Sequence, residues 1–225
     1  MDNVSAIVVA AGSGSRMGRA VPKQFLKLGG IPILVHTLRT LGRVSEIREI
    51  ILAVPAGEKD RCRDMIRRYR LRRVAQVIEG GLRRQDSVRA GLRWVSSDPD
   101  LVLIHDGVRP LVTPSQIRDT IRAAARWGAA TLAVPVQDTV KSARDGHIRG
   151  TLSREELYLA QTPQVFKRDW IIEAHRRFRR AATDDAALVE RLGRTVRVVA
   201  GSPRNLKITT PHDLRLAEWY LRVGK

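Results

Sequence analysis

The sequence predicts a three-layer α/β fold, a largely parallel sheet with helices on both faces. Three observations carry that expectation. Short apolar runs without polar alternation read as strands buried on both faces. Segments with helical spacing separate them, and the alternation of the two signals implies parallel strands joined by crossover helices. The chain has 225 residues, 43% of them hydrophobic and only 4% aromatic, so one domain can hold an aliphatic core of Val, Leu, Ile and Ala.

Val4–Ala10 is the first expected strand, followed by a Gly/Ser loop over Ala11–Lys23. Ile31–Leu41 reads as a helix with Pro32 in its first turn, a position that tolerates the missing N–H. Glu49–Val54 is a second strand, closed by Pro55, and Glu58–Tyr69 a basic amphipathic helix. Val74–Glu79, ended by Gly80-Gly81, precedes a helix over Arg84–Trp94. Leu101–Ile104, helix Pro114–Trp127 and strand Ala130–Val136 continue the series. Asp138–Leu159 then changes to short polar–apolar alternation around Asp145-Gly146, a hairpin-turn signal. Helices follow at Arg168 to about Arg179 and Asp184–Leu192, then a strand at Val196–Val199 and a helix from Pro211 to Leu221. The expected whole is one Rossmann-like domain over residues 1–225, with an inserted β-hairpin arm at about 137–160 whose structural use is a subunit contact.

Lys and Arg number 41 against 23 Asp and Glu, a net charge of +18. Such a balance raises a nucleic-acid partner. The arginines are nevertheless scattered over nearly every expected helix, and no aromatic residues interleave with them as a base-stacking surface requires. They read as a solvated exterior that also steers small anions, and no nucleic-acid partner is expected. Cys62 is the one cysteine, which excludes an intramolecular disulfide and suits a reducing compartment. Asp2 and the short apolar run Ala6–Ala11 do not make a signal segment, and no apolar stretch approaches the roughly 18 residues of a membrane span. A cytoplasmic location without membrane partners is expected.

Four sets of residues carry the chemistry. The first is Ala10-Ala11-Gly12-Ser13-Gly14-Ser15-Arg16-Met17-Gly18, just past the first strand, where open α/β sheets bind ligands. Glycines there let backbone N–H groups approach phosphate oxygens. It lacks the Gly-Lys-Ser/Thr of a Walker loop, and Met17 stands where a dinucleotide fingerprint needs its third glycine. A plain strand-to-helix turn is the alternative. Arg16 and Lys23, the latter in Pro22-Lys23-Gln24, place two cations in the same loop, suited to a triphosphate and to charge developing at an attacked phosphorus.

The second set is Gly80-Gly81-Leu82-Arg83-Arg84-Gln85-Asp86-Ser87-Val88. A flat base could lie against the Gly-Gly backbone, and an ordinary capped strand–turn–helix explains the pattern equally. The third, His105-Asp106-Gly107-Val108-Arg109-Pro110, puts a carboxylate at a strand end. Such a group holds Mg²⁺ when phosphates and water supply the other oxygens; a turn cap is the alternative. His105 reads as a buried structural imidazole. The fourth comprises Asp138-Thr139-Val140-Lys141 and Arg154 on the arm, Gln161-Thr162-Pro163-Gln164, Thr183-Asp184-Asp185-Ala186, where Thr183 or Asp184 serves equally as an N-cap, and Asn205-Leu206-Lys207-Ile208-Thr209.

Ala-Ala-Gly-x-Gly-x-Arg-Met followed by Pro-Lys-Gln resembles the sugar-phosphate cytidylyltransferase family, and the likeness runs through several spaced motifs over nearly the whole chain. Arg84-Gln-Asp-Ser-Val88 and Ala182-Thr-Asp-Asp-Ala186 look more like its methylerythritol-phosphate branch than its ribitol-5-phosphate branch, which is the alternative. The resemblance implies transfer of a cytidylyl group from CTP to 2-C-methyl-D-erythritol 4-phosphate in non-mevalonate isoprenoid synthesis. It implies Mg²⁺ or another divalent cation, and a homodimer joined through the arm. It assigns Arg16, Lys23 and Lys207 to catalysis. Ala10, Ala11, Gly12, Gly14, Gly81, Ser87 and Asp106 fall to the nucleotide, and Asp106 also to the metal. Gly107, Arg109, Thr139, Arg154, Thr162 and Thr183 fall to the acceptor, with Thr139 and Arg154 reaching it from the partner subunit. No Ser-His-Asp or Cys-His arrangement is found, and none is needed: a phosphate monoester, with a second pKa of about 6, is already a dianionic nucleophile near neutral pH.

Overall fold

The computed structural model describes residues 3–12 and 22–223. Strand β1 (Val4–Val9) is flanked by β4 (Ile47–Val54) and β6 (Leu101–Asp106), both parallel to it. Beyond β4 lies β5 (Val74–Glu79), again parallel. On the other side β10 (Tyr158–Lys167) runs antiparallel between β6 and β7 (Ala129–Pro135), and β11 (Arg197–Ala200) closes that edge parallel to β7. The seven strands therefore run β11-β7-β10-β6-β1-β4-β5. The sheet is largely parallel, as the apolar runs predict.

Alternation along the strands divides two cores. Val4, Ala6 and Val8 of β1 point to one face, covered by α1 (Ile33–Gly42), α2 (Lys59–Tyr69) and α4 (Pro114–Trp127). Ile7 points to the other, against Val88 of α3 (Arg84–Leu92), Ile171 of α5 (Arg168–Arg177) and Leu188 of α6 (Ala186–Glu190). These are the three layers. A smaller cluster, with Leu28, Ile33, Val108, Ile208 and Ala217, ties α7 (Pro211–Val223) and a two-stranded ribbon, β2 (Lys27–Leu28) with β3 (Ile31–Pro32), to the rim of the site.

The expected arm is an antiparallel hairpin, β8 (Val140–Arg144) with β9 (His147–Leu152). Asp145 and Gly146 both take positive φ, 52° and 77°, the backbone of a two-residue turn that matches strand twist. Helix α4 begins with a full capping box between Thr113 and Gln116, with Pro114 following the cap.

Three expectations are corrected. Pro32 is not in the first turn of α1. It pairs with Lys27 in the ribbon and immediately precedes the helix. Lys23 is not in an open loop but begins a single 3-10 turn, Lys23–Phe25. The largest miss is β10, a ten-residue strand in the middle of the sheet, where the arm was expected to end at Leu159. Its centre is polar and has no apolar run to betray it. Side chains satisfy it instead: Gln164 Nε2 donates to Asp184 Oδ2 at 2.8 Å, and its Oε1 accepts from the N–H groups of Asp185 and Ala186, each at 3.2 Å. Gln161 Nε2 donates to the Ser202 carbonyl at 2.9 Å. A register shift against β7 falls between Ala160 and Gln164, so this polar stretch sits at an irregularity of the ladder.

Among the described residues no helix is long and apolar enough to cross a membrane. Cys62 is buried, and burial pushes its thiol up to about 12, which fits an inert core thiol.

Candidate active site

Crossovers from β1 to β4 and on to β5 build one half of the sheet, and β6 starts the other on the opposite side of β1. Their order reverses between β1 and β6, the point where open sheets leave a crevice at the carboxyl strand ends. A small pocket of about 110 Å³ opens there. Its walls bring together Ala10, Ala11 and Gly12 after β1, Lys23 of the 3-10 turn, Gly81 and Ser87 around the start of α3, Asp106 at the end of β6, and Lys207 from the segment before α7. These residues span nearly two hundred positions of chain.

The Gly-Gly pair earns its place by close approach. A Cβ on Gly80 would lie 2.4 Å from Ala11 Cβ and 2.6 Å from Ser87 Oγ; one on Gly81 would lie 2.4 Å from Asp86 Cβ. The end of β5 is thus pressed directly against the loop after β1. Gly81 N–H donates to Ser87 Oγ at 3.1 Å, which fixes the buried hydroxyl at the pocket wall. Leu82 stands fully exposed at the pocket mouth.

Asp106 is the electrostatic centre. It is 4% exposed, and three cations reach it: Arg84 Nε to Oδ1 at 3.0 Å, Lys207 Nζ to Oδ2 at 3.0 Å and Arg109 Nε to Oδ2 at 3.3 Å. Burial alone would push its carboxyl up, but Arg84, Lys207 and Arg109 together hold it well below the usual carboxylate range. It is anionic at any working pH. The turn that follows is pinned by Gly107 N–H to the Val9 carbonyl at 2.9 Å, Thr37 Oγ1 to the Gly107 carbonyl at 3.0 Å, and Ile208 N–H to the Val108 carbonyl at 2.9 Å.

His105 is buried as expected. Its Nδ1 meets Thr162 Oγ1 at 2.9 Å and its Nε2 the Arg109 carbonyl at 3.3 Å. Burial lowers its pKa to about 4, so the imidazole is neutral near pH 7. Thr162 is buried beside it and accepts from the Asp106 N–H at 3.1 Å. Here it orients the carboxylate strand end, while its assigned role faces the acceptor. Arg109 likewise turns inward, its second bond running to the Asn205 carbonyl at 2.8 Å.

The family of the chain follows from comparison. A family model described as 2-C-methyl-D-erythritol 4-phosphate cytidylyltransferase matches residues 4–223. The chain belongs to that family. A relative of the same name from Pelotomaculum thermopropionicum is 52% identical over 99% of this chain and 96% of its own length. Another from Syntrophus aciditrophicus is 50% identical over 97% and 96%. The solved structure of 4-diphosphocytidyl-2C-methyl-D-erythritol synthase from Anaerococcus prevotii superposes with a TM-score of 0.85 at 34% identity, covering 98% of this chain and 99% of that one. The Thermus thermophilus cytidylyltransferase superposes at 0.78 and 35%, covering 96% and 98%.

The residues that the family resemblance assigns are not all gathered in the pocket. Arg16 and Gly14 lie outside the described residues. Thr139 and Arg154 sit exposed at the base of the arm, where Arg154 donates to the Gln137 carbonyl, and neither lines the pocket. Thr183 is exposed just before α6, and the capping role falls to Asp184, whose Oδ1 accepts from Ala187 N–H at 2.9 Å. Among the described residues no group of three His, Cys, Asp or Glu side chains converges. Asp106 alone still fits a magnesium ion that arrives with a nucleotide, since that ion needs only one or two protein carboxylates when phosphates and water complete its octahedron.

Sequence reading missed Arg83 and Arg84 as pocket walls, Asp185 and His175 as the buried support behind Arg84, and Asn205 as the buried support of Arg109. Arg83 pairs outside with Asp86 at 2.9 Å and Arg84 turns in, and nothing local in the sequence distinguishes the two.

Proposed function

We propose that this chain transfers the cytidylyl group of CTP to 2-C-methyl-D-erythritol 4-phosphate, releasing pyrophosphate and 4-diphosphocytidyl-2-C-methyl-D-erythritol for non-mevalonate isoprenoid synthesis. The observation that carries the reading is the convergence of Lys23, Asp106, Lys207 and the Gly81–Ser87 wall in one pocket of a chain matched to this family from residue 4 to 223. The ribitol-phosphate alternative is not favoured by the names its relatives carry.

An oxygen of the acceptor phosphate attacks the α-phosphorus of CTP, and the bond from that phosphorus to the β-phosphate oxygen breaks. The nucleophile is already ionised, so no general base is required. Alignment of two anions and screening of their repulsion are what the reaction demands. Lys23 lies at the pocket wall for the triphosphate, and the resemblance gives Arg16 the same task. Lys207, which rests on Asp106 in this structure, would exchange that carboxylate for phosphate. Gly81 and Ser87 present backbone and hydroxyl to the base. A divalent cation at Asp106 would offset charge on the phosphates.

The arm supports a homodimer. Ile148 and Leu152 on β9, and Tyr158 and Leu159 at the start of β10, are large apolar side chains left exposed, the kind of surface that a protein contact covers. Thr139 and Arg154 at its base would then complete a neighbour's acceptor site. The buried lone thiol suits a cytoplasmic enzyme. Purified chain incubated with CTP, magnesium and each sugar phosphate in turn should release pyrophosphate with the methylerythritol substrate; faster turnover of ribitol 5-phosphate would refute the assignment. Sedimentation of the intact chain and of an Ile148→Asp, Leu152→Asp variant tests the dimer, which should dissociate in the variant.

A further inference from the structure

Behind the pocket lies a buried chain of polar groups that the reaction above does not use. His175 and Asp185 are 2% and 1% exposed. His175 Nε2 meets Asp185 Oδ1 at 2.9 Å. The other Asp185 oxygen accepts from Arg84 Nη1, and Arg84 Nε donates to Asp106 Oδ1 at 3.0 Å. One guanidinium thus joins a carboxylate on the pocket wall to a second one that does not line the pocket.

Burying a second carboxylate is costly, and an apolar filling often gives equal stability. Here the fold invests in holding it still, through His175 and through the Asp185 N–H, which donates to Gln164 Oε1 at 3.2 Å. A planar guanidinium pinned at Nη1 has a fixed direction for Nε–H. Oδ1 of Asp106 is therefore fixed from behind. Oδ2 is held in front by Lys207, whose side chain is 37% exposed, and by Arg109. Without Asp185, Arg84 is free to turn both arms of its fork onto Asp106, the geometry Arg–carboxylate pairs favour, and would then cover Oδ2 as well.

We propose that Asp185, braced by His175, is a positioning residue for cytidylyl transfer: it keeps Arg84 on Oδ1 of Asp106, so that Oδ2, contacted by Lys207 and Arg109 in this structure, is open to the divalent cation of the nucleotide when Lys207 turns to phosphate. The proposal rests on the cytidylyl-transfer reading. Its test compares wild type, Asp185→Asn, Arg84→Lys and the double variant, with Thr113→Ala at the remote cap of α4 as a stability control. Steady-state kinetics with CTP and the methylerythritol acceptor are read beside calorimetric CTP affinity with and without magnesium.

Asp185→Asn should lose about 10–100-fold in kcat, the range for residues that orient a metal ligand. It should also lose most of the gain in CTP affinity that magnesium brings, while magnesium-free affinity and cooperative melting persist. The double variant should be no worse than its worse parent, because both changes break one linkage. His175→Gln, which keeps the Asp185–Arg84 pair, should show a smaller loss of the same kind, and it carries the test if Asp185→Asn does not fold. An unchanged magnesium increment, additive losses, or a kcat loss that merely follows melting temperature as in the control would overturn the proposal. Wild-type chain that binds CTP but ignores this acceptor overturns the functional reading alone, since the magnesium increment still reports on Asp185.

Discussion

Gly80→Ala adds a single methyl group and tests the contact that builds the proposed nucleotide site. Its Cβ would stand 2.4 Å from Ala11 Cβ and 2.6 Å from Ser87 Oγ, against the roughly 3.5–4.0 Å at which carbon atoms rest in contact. More than an ångström must therefore be found. Neither neighbour is the loose end of a flexible chain, and Gly80 cannot retreat because its N–H is bonded to the Val54 carbonyl at 2.8 Å. The loop after β1, the wall carrying Ser87, or both must shift. Overpacking of this kind costs about 1–3 kcal/mol, and at about 2–4 °C per kcal/mol for a chain this size the melting temperature should fall by about 2–12 °C. The same shift moves Ala11 and Ser87 apart, so KM for CTP should rise about 10-fold or more, of the order expected when positioned groups are displaced by an ångström. Thermal unfolding and steady-state kinetics at varied CTP measure both. A variant with unchanged melting and unchanged KM would show that the two strand ends do not meet as described, and the derivation of the base wall would fall with it.

Three further outcomes are expected. Lys23→Ala should lower kcat by about 10²–10³-fold, as removal of a preorganised transition-state donor does, with a much smaller change in KM; an unchanged kcat would sink its assigned role. Thr113→Ala removes the side-chain half of the α4 capping box and should cost about 1 kcal/mol, about 2–4 °C in melting temperature, without altering kcat. The third concerns pH. His105 has a folded pKa of about 4 against about 6.5 when unfolded, so the unfolded state binds the proton first as pH falls. Its contribution to stability is complete above about pH 6.5 and is lost as pH falls toward 4. Urea midpoints measured across that window should drop less steeply in His105→Gln than in wild type; parallel curves would contradict the assigned protonation state.

Much of the architecture was legible because burial on both faces leaves a local mark. Val4–Val9 and Leu101–Ile104 are apolar at nearly every position, and the helices between them carry their own spacing. The arm was legible from Asp145-Gly146, since a two-residue turn with positive φ restricts residue type. Strand β10 was not, because Gln161, Thr162 and Gln164 are satisfied by partners 20 to 57 residues away, and nothing local distinguishes them from a polar loop.

The same division holds at the site. The sequence by itself determined the fold class and the family, because buried strands leave local apolar runs and the glycine, lysine and aspartate motifs beyond them are local in the chain. Tertiary structure alone decided that Asp106 is clasped by Arg84, Arg109 and Lys207, that Thr162 and Arg109 turn inward to hold it, and that Asp185 and His175 stand behind Arg84. Those pairings join residues from 3 to 101 positions apart. A charge's partner is set by which strand ends the sheet order brings together, and no segment of the chain carries that information alone.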